Sequence, residues 1–226
     1  MIPKPQLLLG TEDIPSFAPE DFIVGECNRD AFLFIHQWPQ WPSCGLVLHG
    51  PSGSGKTHLA QIFAARSKAI SLDFSTIEKG DYPETKGGHF VIEDVNPQTI
   101  SQEPFLHFYN SLQGEGGTML ITAQTPPSKW NISLADLDSR LRALPALSLG
   151  LPEDQVLKGV LLKRFSDFQV RVGIDIINYI TVRIDRSFAV AQEVVRKINI
   201  CALERRRNVT LPLVREVLEE FTNQEQ

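Results

Sequence analysis

The sequence predicts an α/β layer fold built on a parallel sheet and followed by a smaller all-helical region. Three observations predict it. A glycine-rich segment, Gly50-Pro51-Ser52-Gly53-Ser54-Gly55-Lys56-Thr57, stands between an apolar run that reads as a strand, 46–49, and a helical one, 58–68. Further short apolar runs alternate with helical stretches, the signature of strands covered on both faces. From Pro152 onward apolar residues recur at helical spacing alone.

The first two dozen residues are rich in proline and acids and read as an extended arm, ending near Phe17 and Asp21-Phe22-Ile23-Val24-Gly25. Asn28, a residue type favoured at helix starts, opens a helix through Ala31, Phe32 and Ile35 that Trp38-Pro39-Gln40-Trp41-Pro42 closes. After the glycine-rich loop, strands are expected at 69–73, 89–94 and 117–122, the last stopped by Pro126-Pro127. Beyond Pro152, helices are expected around Val156, Val160, Leu161 and Phe165, around Ile176, Ile177 and Ile180, and around Val190, Val194, Val195 and Ile198. A last helix begins near Pro212, with Thr210 as its cap. The expected organisation is an arm at 1–20, an α/β domain at 21–151 and a helical domain at 152–226.

Composition narrows the class. With 42% apolar residues among 226, the chain has material for a sizeable core, and its apolar runs are far shorter than a membrane span. The N-terminus lacks the apolar core of a signal peptide, so a cytoplasmic setting with no membrane contact is expected. Cys27, Cys44 and Cys201 form no CxxC pair and are odd in number, which argues against a disulfide framework or a zinc site. A net charge of −5 gives no global attraction to nucleic acid, so DNA contact is expected to be weak or indirect. Arg205-Arg206-Arg207 reads as a solvated basic helix end favoured by the helix dipole.

The glycine-rich segment carries the chemistry. A strand, such a loop and a helix N-terminus converge backbone N–H groups on an anion. Gly50, Gly53 and Gly55 permit close backbone approach, Lys56 reaches β and γ phosphates, and the Thr57 hydroxyl is a Mg²⁺ ligand. Pro51, Ser52, Ser54 and His58 complete the expected nucleotide contacts, and the expected cofactors are ATP or ADP with Mg²⁺. Such a site needs a carboxylate at the end of a neighbouring strand for the metal, and a second to orient water. Glu93 and Asp94 supply both, Glu93 as the metal ligand. Thr122 and Gln124 would lie beside the γ phosphate if their strand sits between the other two.

This set of motifs resembles the AAA+ family, and within it the branch of the replication initiator DnaA and its truncated relative Hda; the resemblance runs over nearly the whole chain. It implies a five-stranded parallel sheet followed by a helical lid. It places Phe22, Ile23 and Asn28 at the adenine pocket, and 121–127 at the strand that senses the γ phosphate. The segment 134–141 resembles the one bearing the arginine finger, which makes Arg140 the matching residue. Gln6-Leu7-Leu8-Leu9 resembles the peptide by which Hda-like regulators dock on the sliding clamp, and the chain stops where DnaA would continue into a DNA-reading domain.

The chain also departs from the pattern. Glu93 stands where most relatives carry aspartate, and Gln124 where an acid is usual. Ala189 occupies the position of the lid's second sensor arginine, with Arg186 as the nearby substitute. The resemblance implies a clamp-docked regulator that promotes hydrolysis of DnaA-bound ATP, with weak hydrolysis of its own. A monomer and a homodimer are both compatible with it. The alternatives are a DnaA-derived adaptor without finger activity and a helicase-loader-like ATPase acting on another replication protein.

Overall fold

The computed structural model describes residues 22–224. Five strands, β1 (Gly45–His49), β2 (Ile70–Ser71), β3 (His89–Val95), β4 (Thr118–Ala123) and β5 (Ala146–Ser148), form one all-parallel sheet in the order β2-β3-β4-β1-β5. Helices α1 (Arg29–His36), α2 (Lys56–Ser67), α3 (Phe74–Lys79), α4 (Gln102–Gly114) and α5 (Ala135–Ala143) flank it. Four more follow: α6 (Asp154–Asp167), α7 (Ile174–Thr181), α8 (Phe188–Glu204) and α9 (Leu211–Gln224). The parallel α/β sheet with a trailing helical region is the architecture the sequence predicts.

The central strands are apolar through their middles because both of their faces are covered. Leu46, Leu48, Val91 and Leu120 pack with Ala31 and Ile35 of α1 and with Leu59 and Phe63 of α2. Val47, Phe90, Ile92, Met119 and Ile121 face the other way, onto Phe105 and Phe108 of α4 and Leu137 and Leu141 of α5. Full burial of such side chains contributes about 1.5–3 kcal/mol each. A third core joins Leu157, Leu161 and Phe165 of α6 to Ile177 and Ile180 of α7, Val194, Val195 and Ile198 of α8, and Val214 of α9.

Local chemistry moves several expected boundaries. The strand expected at 69–73 shrinks to the exposed edge pair Ile70–Ser71, because the Asp73 carboxylate accepts from the Ser75 N–H and starts α3 instead. The helix expected from 58 begins at Lys56, inside the glycine-rich loop. The fifth strand, which the resemblance implies, is β5, only three residues long at the sheet edge beside β1.

The helical region is tied to the sheet at two places. The Glu153 carboxylate accepts from the Cys27 N–H at 3.0 Å, and the Gly150 N–H donates to the Cys27 carbonyl at 2.9 Å. At the other end the Phe188 N–H, the first of α8, donates to the Gly53 carbonyl of the glycine-rich loop at 2.9 Å. A side chain at Gly53 would meet the Ser187 Oγ at 2.0 Å, and the loop holds φ +72° there, so only glycine permits this approach.

Two histidines in the sheet give the fold an acid sensitivity. Burial, then the nearby Lys129 charge, holds His49 below its ordinary pKa, and burial does the same for His89. Each folded value lies below the unfolded value of about 6.5, so each contributes stability that is present above that pH and lost as pH falls through the folded value. The thermal unfolding midpoint is therefore expected to drop between about pH 7 and about pH 5, and a His49→Gln/His89→Gln variant to lose less over that range. Parallel pH profiles for the two proteins would refute it.

Candidate functional site

A cavity of about 780 Å³ opens between the glycine-rich loop, the C-terminal ends of β3 and β4, and helices α6 and α8. Ser52, Gly53, Gly55, Lys56, Thr57 and His58 line its loop wall. Gly53 and Gly55 hold φ +72° and +94°, conformations that turn successive N–H groups one way. Lys56 is 6% exposed, and its Nζ donates to the carbonyls of Gly50 at 2.9 Å and Pro51 at 2.8 Å. Burial pushes its pKa down, and the Asp94 carboxylate opposes that shift. Gly50 and Pro51 thus serve as acceptors for the lysine without lining the cavity, and the Gly50 N–H is stitched to the Ala123 carbonyl of β4 at 3.2 Å. Ser54 is fully buried behind the loop, and its Oγ has no hydrogen-bond partner among the described residues.

The two acids part company. The register between β3 and β4 shifts between Ile92 and Val95, and Asp94 takes a left-handed φ of +50°. Its N–H donates to the Thr122 Oγ1 at 2.8 Å. Asp94 thereby joins the cavity with Lys56, whereas Glu93 is not part of its lining and faces a smaller recess with Ser71 and Asp73, which Asp94 also borders. Glu93, the expected metal carboxylate, thus lies outside the cavity lining and Asp94 within it, because the bulge breaks the simple alternation of the strand.

Thr122 does not line the cavity either. β4 does lie between β3 and β1, but Thr122 is fully buried and orients Asp94 through that backbone contact, while Gln124 and Thr125 line the cavity. Trp130, fully buried, donates from Nε1 to the Thr125 carbonyl at 2.8 Å and pins this strand exit.

At the apolar end, Phe22 and Ile23 line the cavity beside His58, whose ring meets Phe22 edge-on at 5.2 Å; Phe22 in turn stacks on Phe32 at 5.5 Å. Asn28 does not line it. It is 1% exposed, accepts from the Gly25 N–H at 2.9 Å and donates to the Ile23 carbonyl at 3.1 Å, so it stands at the N-cap position of α1, as expected, but its side chain shapes the turn that presents Ile23 and makes no cap bond. Arg186 is displaced too: it precedes α8, pairs with Asp154 at 2.9 Å and is absent from the cavity wall. Ala189 faces the cavity with only a methyl group.

Arg140 lies on α5, outside the cavity lining. Its Nε donates to Asp136 at 2.9 Å, its Nη1 to Gln113 at 3.2 Å, and its guanidinium lies 5.6 Å from the Tyr109 ring centre. Gln6, Leu7, Leu8 and Leu9 fall outside the described residues.

The chromosomal replication initiator protein DnaA of Campylobacter jejuni is 23% identical over 232 residues, 91% of this chain and 53% of its own length. That of Aliarcobacter butzleri is 26% identical over 236 residues, 91% of this chain and 52% of its own length. Among solved structures, domain III of Thermotoga maritima DnaA superposes with a TM-score of 0.77 at 20% identity, covering 92% of this chain and 97% of that one. The chain is similar to DnaA in sequence over 91% of its length and shares the fold of DnaA domain III. A DnaA bound to AMPPCP and single-stranded DNA superposes with a TM-score of 0.69 at 20% identity, covering 85% of this chain and 68% of that one. No protein-family model matches. The chain spans about half the length of the curated relatives it matches.

Sequence reasoning missed one wall of the cavity. Val160, Lys163, Arg164 and Asp167 of α6 line it, joined by Phe188 and Gln192 of α8. The spacing i, i+3, i+4, i+7 puts the α6 set on one helix face. That pattern was available in the sequence, but its mixed polarity gave no reason to separate it from a solvated face.

Proposed function

We propose that this DnaA-related chain is a nucleotide-binding regulator of DNA replication initiation. It docks on the polymerase sliding clamp through Gln6-Leu7-Leu8-Leu9 and presents Arg140 to ATP held by the initiator DnaA, promoting hydrolysis there. The observation that carries this reading is the placement of Arg140 on the outer surface of α5, held by Asp136, Gln113 and Tyr109, away from the chain's own cavity. A cation so placed serves a neighbour's phosphates better than its own.

The cavity fits ATP or ADP. The buried Lys56 ammonium and the N–H groups of the loop would hold the phosphates, Phe22, Ile23 and Val160 the base, and Thr57 and Asp94 supply the hard oxygen donors that suit Mg²⁺. When bound, the nucleotide supplies a polyanion that touches both the loop and the helical region. The domain division at 21–151 and 152–226 belongs to this proposal, with the helical part as a lid whose angle to the sheet the nucleotide sets. No described helix is long and apolar enough to cross a membrane; a cytoplasmic setting is likewise proposed.

The test is to mix initiator loaded with ATP, clamp loaded on DNA, and this chain, and to follow phosphate release. Stimulated release is expected, and Gln6→Ala/Leu7→Ala is expected to abolish both stimulation and clamp binding while nucleotide affinity stays intact. Clamp affinity unchanged in that double variant would defeat the docking claim. Unchanged initiator hydrolysis, together with ATP turnover by the isolated chain that Asp94→Asn removes, would replace the regulator by an autonomous ATPase.

A further inference from the structure

We propose that Ser54 is a positioning residue: its buried hydroxyl closes onto the Leu149 carbonyl when a nucleoside di- or triphosphate occupies the glycine-rich loop, and so carries occupancy of the loop to the linker that leads into the helical region. The inference rests on the nucleotide reading above and assigns a route by which that site acts on α6.

Two unmade polar groups meet beside Gly50. The Ser54 side chain is fully buried, and its Oγ has no hydrogen-bond partner among the described residues. Leu149 is fully buried too; its N–H donates to the His49 carbonyl at 2.7 Å, whereas its own carbonyl accepts no hydrogen bond among the described residues. Both oxygens face the bare Cα of Gly50: a Cβ built there would lie 2.1 Å from the Leu149 carbonyl oxygen and 3.2 Å from the Ser54 Oγ. Glycine therefore keeps open the space between a hydroxyl donor and a carbonyl acceptor. Each group costs free energy while it is buried and unmade, and one short displacement of the loop satisfies both.

The loop has a reason to shift. Lys56 spends two of its three ammonium N–H groups on the Gly50 and Pro51 carbonyls. It has one left for a phosphate oxygen, and a second such bond is taken from the carbonyls that brace the base of the loop. The turn above them is loosely closed, since the Ser54 N–H reaches the Pro51 carbonyl only at 3.4 Å. On the far side, Leu149 runs into Gly150, whose N–H donates to the Cys27 carbonyl, and then to Glu153, whose carboxylate accepts from the Cys27 N–H just before α6. A bond from Ser54 to Leu149 thus joins the loop to the segment that carries α6.

The experiment measures three things in the full chain and in Ser54→Ala: ADP affinity by isothermal titration, the thermal unfolding midpoint without ligand, and amide hydrogen exchange across 149–153 with and without ADP. In the wild type, ADP is expected to slow exchange across that linker. Ser54→Ala is expected to raise the ligand-free midpoint by about 2 °C or more, because an unmade buried hydroxyl is gone. It is also expected to weaken ADP binding ~3- to 10-fold, because the bond formed on binding is gone, and to exchange at one rate across the linker with and without ADP. The opposite signs separate positioning from packing: a midpoint and an affinity that fall together make Ser54 a packing residue and overturn the inference. Wild-type affinity with wild-type linker protection in Ser54→Ala overturns it as well, as does ADP binding by the wild type that leaves the linker unprotected. All three leave the nucleotide reading standing, whereas absence of ADP binding by the wild-type chain overturns both.

Discussion

Replacing Lys56 with alanine is expected to weaken ATP and ADP binding by about 10- to 100-fold, the equivalent of the roughly 1.5–3 kcal/mol that a hydrogen bond to a charged group contributes. Lys56 is buried at the base of the loop, and burial presses its ammonium toward the neutral form. It stays there because the Gly50 and Pro51 carbonyls accept from it and Asp94 lies close. The variant removes the cation nearest the loop and frees two carbonyls that point inward. Bound-nucleotide analysis of the purified proteins and isothermal titration measure the loss directly. An alanine variant that binds ADP as the wild type does would remove the loop from the site altogether.

Much of this site was legible because its chemistry is local in sequence. The loop from Gly50 to Thr57 needs only a strand before it and a helix after it, and both are written in adjacent residues. The sheet was legible for a related reason. Strands covered on both faces are apolar without alternation, and β1, β3 and β4 are such runs. The edge strand β5 left no comparable mark, since two of its three residues are exposed.

What sequence spacing left undivided depends on backbone geometry or on docking. Glu93 and Asp94 looked equivalent until the bulge and the left-handed φ of Asp94 divided them between two recesses. Arg186 looked one helical turn from Ala189, but α8 starts only at Phe188, so the helical count does not extend to it. Asn28 stands at the N-cap of α1, yet its side-chain amide turns back to Gly25 and Ile23 rather than onto the helix. The charged face of α6 acquires meaning only where the helix closes over the cavity.

Arg140→Ala is expected to return the initiator's ATP hydrolysis to its unstimulated rate. An arginine supplied to a neighbour's γ phosphate contributes on the order of 10³–10⁵ in kcat, because it meets charge that develops only in the transition state. Asp136 and Gln113 hold the guanidinium through Nε and Nη1, with Tyr109 beneath it, so the side chain is oriented before any partner arrives and loses less freedom on engagement. The Tyr109 hydroxyl supports this floor: burial first, then its hydrogen bond with Cys44, keeps it protonated well above the ordinary tyrosine range. Own-nucleotide affinity is expected to stay at the wild-type value, since α5 contributes nothing to the cavity lining. Arg140→Lys separates charge from shape: a lysine keeps the charge but not the planar fork, so partial activity is expected from it and none from alanine. Stimulation by the alanine variant equal to the wild type would eliminate the finger role and leave an adaptor that recruits without catalysing.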